Sequence, residues 1–213
     1  MSQVTLTFDN GPEPSATPQV LDCLARHRVR ATFFVMGKKA ATPGGGELVR
    51  RTSAEGHGIG SHTWSHGASL GKLDAAIALA EFERGAEAVA RLGIKERLFR
   101  PPGGGRIGDH LLHAAVVPKL EAGGFTCVLW NLVTGDWKEP DEWLPRGLAG
   151  VRERDWTLLA LHDLPTGAMS YLDTFLTQLK AEGHSFTPEF PPECLPIVNG
   201  RAVQSLEPYL AAG

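Results

Sequence analysis

The sequence has little of what would tie it to nucleic acid, to a bilayer or to a disulfide framework. Its 21 Lys and Arg against 24 Asp and Glu leave a net charge of -3. That gives no basic footprint for phosphates or an anionic membrane, so nucleic-acid and membrane partners are disfavoured. No run of 18 apolar residues occurs, which a spanning helix would need. The three cysteines, Cys23, Cys127 and Cys194, are odd in number, widely spaced and outside any metal-type spacing. Cys23 and Cys127 read as small core residues, and the set as a whole points to a reducing compartment. Met1 runs almost directly into the first strand pattern, with no room for the basic and apolar regions of a secretory leader. A cytoplasmic protein is the expectation.

What is present is an ordinary globular composition of 213 residues, 42% hydrophobic, with 25 Gly and 15 Pro that imply many tight connections. One domain over 1–213 is expected, large enough to bury its own core. Val4, Leu6 and Phe8 alternate with Thr5, Thr7 and Asp9, the period of a strand, and Gly11-Pro12 ends it. Thr17-Pro18 reads as the start of a helix carrying Val20, Leu21 and Leu24. Further strands are read at 31–35, 58–61, 98–100, 125–129 and 157–161. Helices are read at 47–54, 72–92, 108–122, 142–153 and 170–182, with Gly44-Gly45-Gly46 as a loop and the Pro-rich tail from 187 to 213 unassigned. About six βα units in sequence imply an α/β fold, a mostly parallel sheet with helices outside, either barrel-like or doubly wound.

The chemistry-bearing residues fall at the C-terminal ends of these strands, where loops of a β/α fold converge. Asp9 closes the first strand. His62 and His66, four apart, follow the third and can share one metal if the segment turns helically. Arg100-Pro101-Pro102-Gly103-Gly104-Gly105 follows the fourth. Its prolines stiffen the backbone and its glycines let main-chain N–H groups approach a ligand, as an oxyanion hole requires, although a plain Pro-Gly turn is the competing reading. Asp136-Trp137 follows the strand ending near Trp130, and Leu161-His162-Asp163 ends the last clear strand.

Taken in order, Thr7-Phe8-Asp9-Asn10-Gly11-Pro12, His62-Thr63-Trp64-Ser65-His66, Arg100-Pro101-Pro102-Gly103-Gly104, Asp136-Trp137 and Leu161-His162 resemble the five motifs of the polysaccharide deacetylase (NodB-homology) family. The likeness spans 4–163. It implies a distorted (β/α) barrel and metal-dependent removal of N-acetyl or O-acetyl groups from an acetylated sugar such as a chitooligosaccharide, peptidoglycan or xylan. The short chain looks like the chitooligosaccharide deacetylase branch. By the same resemblance, Asp9 is the general base, Arg100 its ion-pair partner, His162 the general acid and Asp136 the residue that orients it. Gly103 supplies an oxyanion N–H, and Trp137 and Leu161 wall the acetyl pocket. The metal, Zn2+ or Co2+, falls to Asn10, His62 and His66.

Three departures qualify the likeness. Asn10 stands where the family usually has a second Asp, so the ligand set loses a negative charge and is expected to bind metal more weakly. Gly103 replaces a frequent Tyr, which is expected to open one wall of the site. Val133 replaces an Asp that often precedes the Asp-Trp motif. Two other readings are a metal-independent, allantoinase-like amide hydrolase using Asp9, Arg100 and His162, and a sugar-binding protein without catalysis.

Overall fold

The computed structural model describes residues 2–211. Its elements follow one another as β1 (Gln3–Asp9), α1 (Thr17–His27), β2 (Thr32–Val35), α2 (Gly37–Ala40), α3 (Pro43–Ala54), β3 (Gly58–Ser61), α4 (Ala75–Arg91) and β4 (Leu98–Phe99). Then come α5 (Val117–Ala122), β5 (Thr126–Cys127), β6 (Leu132–Val133), α6 (Trp143–Arg152), β7 (Trp156–His162), α7 (Leu172–Ala181), β8 (Ser185–Phe186), β9 (Ile197–Val198) and β10 (Arg201–Ala202). The sheet runs β10-β9-β5-β4-β3-β2-β1-β7-β6, with β8 also paired to β1. Among the described residues, only the pairings made by β9 are antiparallel. No helix among the described residues is long and apolar enough to cross a membrane.

The sheet curls into a distorted barrel because consecutive strands β5 and β6 lie at opposite sides of it in this order. Only residues 128–131 join them. Five Cα steps span at most roughly 17 Å, so the two margins must come close. The connecting segment hydrogen-bonds to both: Leu129 N–H donates to Cys194 O at 2.8 Å, and Asn131 N–H to Leu158 O at 3.3 Å. The Asn131 side chain adds a bond from Nδ2 to Trp156 O and accepts one from Leu158 N–H.

The alternation in β1 divides inside from outside. Val4, Leu6 and Phe8 join Phe33, Trp143 and Phe175 in the core between sheet and helices. Each such side chain contributes about 1.5–3 kcal/mol on burial. Phe34, Phe99, Trp130, Leu158 and Ala160 belong to a second core cluster. Thr7 and Asp9 reach the buried Arg100 instead. β1 and β7 pair along their whole lengths, which sets Asp9 opposite His162.

Three expectations need correction. Gly44-Gly45-Gly46 is the first turn of α3, not a loop: Thr42 Oγ1 accepts from Gly45 N–H at 3.1 Å, and Pro43 opens the helix. A Cβ on Gly45 would lie 2.0 Å from Lys39 O, so glycine permits this packing. The helix read over 108–122 is formed only over Val117–Ala122, the stretch before it being turns that bury Leu111 and Leu112. Pro118, with no N–H, sits in the first turn, where no intrahelical partner is missed. The unassigned tail extends the sheet: Cys127 pairs with Ile197, and Ile197 and Cys194 are buried. Leu112 and Leu210 form a further bridge.

Candidate active site

The centre of the site is a buried ion pair. Arg100 follows β4 and is fully buried. Its Nη1 donates to Asp9 Oδ1 at 2.8 Å and to Thr7 Oγ1 at 2.7 Å, its Nε to Val128 O and its Nη2 to Leu129 O, both at 3.0 Å. The guanidinium carbon lies 4.0 Å from the centre of the Phe34 ring. Burial is the largest single influence and would raise the pKa of Asp9, but the charge and hydrogen bond of Arg100, with the lesser influence of His62 and His162, together outweigh it and hold the carboxyl below its usual value.

His62 is almost wholly buried behind Asp9. Its Nδ1 lies 2.7 Å from Arg100 O. A carbonyl accepts only, so Nδ1 carries the proton and Nε2 keeps its lone pair. Burial lowers this imidazole's pKa to about 3, which leaves it neutral above that range. Nε2 then faces Asp9 Oδ2 at 3.9 Å without the positive charge an ion pair would need. The His66 ring stands 4.8 Å from that of His62. The pair meets without a helical turn, because Thr63 and His66 both take left-handed backbone, at φ 61° and 54°. Asn10 is likewise left-handed, at φ 73°, a region asparagine tolerates. Its Oδ1 is buried with no hydrogen-bond partner among the described residues.

Neutral His62 and His66, with the orphaned oxygen of Asn10, suit a divalent cation: the donors are of the right kind, unprotonated and uncommitted. The carboxylate of Asp9 beside them adds a favourable charge.

On the far side, His162 is held by Asp136, which is fully buried. His162 N–H donates to Asp136 Oδ2 at 2.9 Å, and Nδ1 lies 3.0 Å from Oδ1. Burial is the largest influence and works against the charged imidazole, yet the hydrogen bond and charge of Asp136, with the charges of Asp9 and Asp163, together outweigh it and raise the pKa above the ordinary value. The Trp137 ring packs 4.6 Å from His162.

Asp9, Asn10, His62, His66, Trp137 and His162 line a cavity of about 110 Å³ together with Gly103, Gly104, Gly105, Trp130, Val133 and Ala160, while Arg100 and Asp136 stand behind it. Two expectations about its walls change. Leu161 is fully buried in the core beneath the helices and is not among the lining residues; its neighbour Ala160 takes that place, since successive side chains of β7 point to opposite faces. Gly103 does not open the wall either. A Cβ there would lie 2.4 Å from Trp130 Cη2 and 2.7 Å from Leu111 Cδ2, so those side chains fill the space. The Gly103 N–H makes no hydrogen bond among the described residues.

Several positioning residues escaped the sequence reading. Glu81 on α4 accepts from Ser65 N–H and Ser65 Oγ, each at 2.8 Å, while its carbonyl accepts from Trp64 N–H. Gly85, one turn on, lets α4 press against this segment: a Cβ would lie 2.5 Å from Thr63 C. Asp163 accepts from Thr17 Oγ1, and burial pushes its pKa up to about 7. It also explains Gly11, whose added Cβ would lie 2.2 Å from its Oδ2. Thr7 was discernible in principle, two residues before Asp9 on the same face of the strand. Asp163 stands beside His162 at the end of the last strand in the sequence, but it turns onto Thr17 rather than into the cavity; Glu81 and Gly85 carry no local signal.

Comparison with known proteins gives a consistent set of likenesses. The polysaccharide deacetylase family model matches residues 2–118. A peptidoglycan-N-acetylglucosamine deacetylase of Listeria monocytogenes is 35% identical over 187 residues, which cover 86% of this chain and 37% of the relative. The chain therefore spans little more than a third of that protein's length. A chitooligosaccharide deacetylase of Sinorhizobium fredii is 37% identical over 167 residues, covering 75% of this chain and 71% of the relative. A family 4 acetyl xylan esterase from Clostridium thermocellum, in complex with a cobalt ion, superposes with a TM-score of 0.73 at 26% identity, covering 87% of each chain.

Proposed function

The chain belongs to the polysaccharide deacetylase family, and we propose that it hydrolyses acetyl groups from an acetylated amino sugar, of the kind found in chitooligosaccharides or peptidoglycan. The observation that carries this reading is the pairing of Asp9 with His162 at one register of β1 and β7, each tied to a buried ionisable partner, Arg100 and Asp136. Two titratable groups whose surroundings push their pKa values apart are what an acid and base pair requires.

Asp9, kept ionised by Arg100, accepts a proton from the attacking water. The Gly103 N–H donates to the carbonyl oxygen as it gains charge, at no cost in reorganisation because its backbone is fixed between Pro102 and the wall of Trp130 and Leu111. His162, kept protonated by Asp136, gives its proton to the departing amine. Trp130, Trp137, Val133 and Ala160 offer an apolar seat for the acetyl methyl. His62, His66 and Asn10 would hold a divalent cation, zinc or cobalt. Such an ion, when bound, polarises a carbonyl and acidifies water.

The neutral amide of Asn10 is the observation that favours a metal-independent amide hydrolase as second reading. The experiment that separates the two is turnover of an acetylated chitooligosaccharide by protein saturated with zinc or cobalt, with and without chelator. Metal-dependent release of acetate is expected, and Asp9→Ala should lower it about 100-fold or more. Turnover of Asp9→Ala equal to the parent would remove Asp9 as the base.

Charge at position 10 gives a second expectation. Asn10→Asp adds a carboxylate to the ligand set and should tighten zinc binding by at least about 10- to 100-fold, the range seen for outer-shell changes alone. Calorimetric zinc titration of both proteins checks this, and equal affinities would place Asn10 outside the ligand set.

The pH profile supplies a third. His162 acts as its cation, and Asp136 is the partner that raises its pKa. In Asp136→Asn that charge is gone, the pKa falls, and the protonated form is lost at lower pH. The alkaline limb of kcat/KM should therefore move to lower pH, whereas an unmoved limb would mean that His162 does not set it.

A further inference from the structure

Away from the cleft, Cys23 and His27 on α1 and Asp173 on α7 bring one thiol, one imidazole and one carboxylate together, with their ligand atoms all within 4.8 Å of one another. We propose that this cluster is a second metal site, for zinc or a similar thiophilic divalent ion, independent of the cleft. Cys23 and His27 are four residues apart on a formed helix, so they share a face and approach one point. Asp173 comes from the first turn of the neighbouring helix. Sulfur, nitrogen and oxygen donors in this combination are those zinc accepts, and small side-chain rotations bring groups at these separations onto one ion.

The burial of the three is graded. Cys23 is 5% exposed, and the side chains of His27 and Asp173 are 14% and 55% exposed. The soft ligand is therefore in the core and the carboxylate at the surface, which leaves an entry path and room for water as a fourth ligand. In the structure His27 Nε2 lies 3.1 Å from Asp173 Oδ1, and Arg26 shares that oxygen at 3.2 Å. The Arg26 side chain is 61% exposed and can swing into solvent as a metal displaces it. Binding releases the proton of the Cys23 thiol to solvent, so affinity rises with pH. A site here would staple α1 to α7. These two helices follow β1 and β7, the strands that carry Asp9 and His162.

Cobalt titration of the full chain tests the proposal, because a thiolate ligand gives a sulfur-to-cobalt charge-transfer band that the nitrogen and oxygen donors of the cleft cannot. One equivalent of this band is expected in the parent protein and in His62→Ala, and none in Cys23→Ser. Asp173→Asn alters an exposed side chain and leaves the core untouched; it should weaken the cobalt affinity read from that band by at least about tenfold. Absence of the band at saturating cobalt, its persistence in Cys23→Ser, or an unchanged affinity in Asp173→Asn would each overturn the site.

Discussion

Most of this structure depends on one buried guanidinium. Arg100 makes four hydrogen bonds in a space with no solvent: two to side chains on β1 and two to carbonyls of residues 128–131, the segment that closes the barrel. The same charge thus satisfies the seam and fixes the ionisation of Asp9. Removing one partner from a buried pair typically costs about 3–5 kcal/mol, because the other charge is left uncompensated. Fold and chemistry are coupled at this point. Arg100 holds the seam carbonyls and the Asp9 carboxylate with the same guanidinium.

Around that pair the polar groups are ordered by what each can give. His62 spends its one N–H on the Arg100 carbonyl and so presents a lone pair. Asp136 spends both oxygens on His162 and so favours the cation. The cavity thus brings acceptors and a proton donor together with the apolar side chains of Trp130, Val133 and Trp137. It is not built by one element alone: β1, β3, β4 and β7 each deliver a residue from the strand end or the loop after it, as a β/α barrel allows.

The sequence was legible where local pattern and function coincide. Asp9, Arg100 and His162 lie at the ends of strands whose alternation or apolar run announces them, and those residues do converge. It was least legible where the third dimension decides. Gly103 looked like an opened wall, but Trp130, 27 positions on, fills the space. Leu161 looked like a pocket residue, and the parity of β7 turns it away and Ala160 inward. Gly44-Gly45-Gly46 has the composition of a loop, yet the cap of Thr42 and close contact with α2 make it helix. The tail, short in strands and rich in proline, takes its conformation from the β5 edge it covers.

Arg100 keeps the Asp9 carboxylate ionised inside a space whose burial favours the neutral acid. Carbon-13 NMR titration of the Asp9 carboxyl carbon, in the parent protein and in Arg100→Met, tests it directly. A pKa below the ordinary carboxylate value is expected in the parent, and a clearly higher one in the variant, where the neighbouring imidazoles alone oppose burial. An Asp9 that titrates alike in both proteins would contradict it.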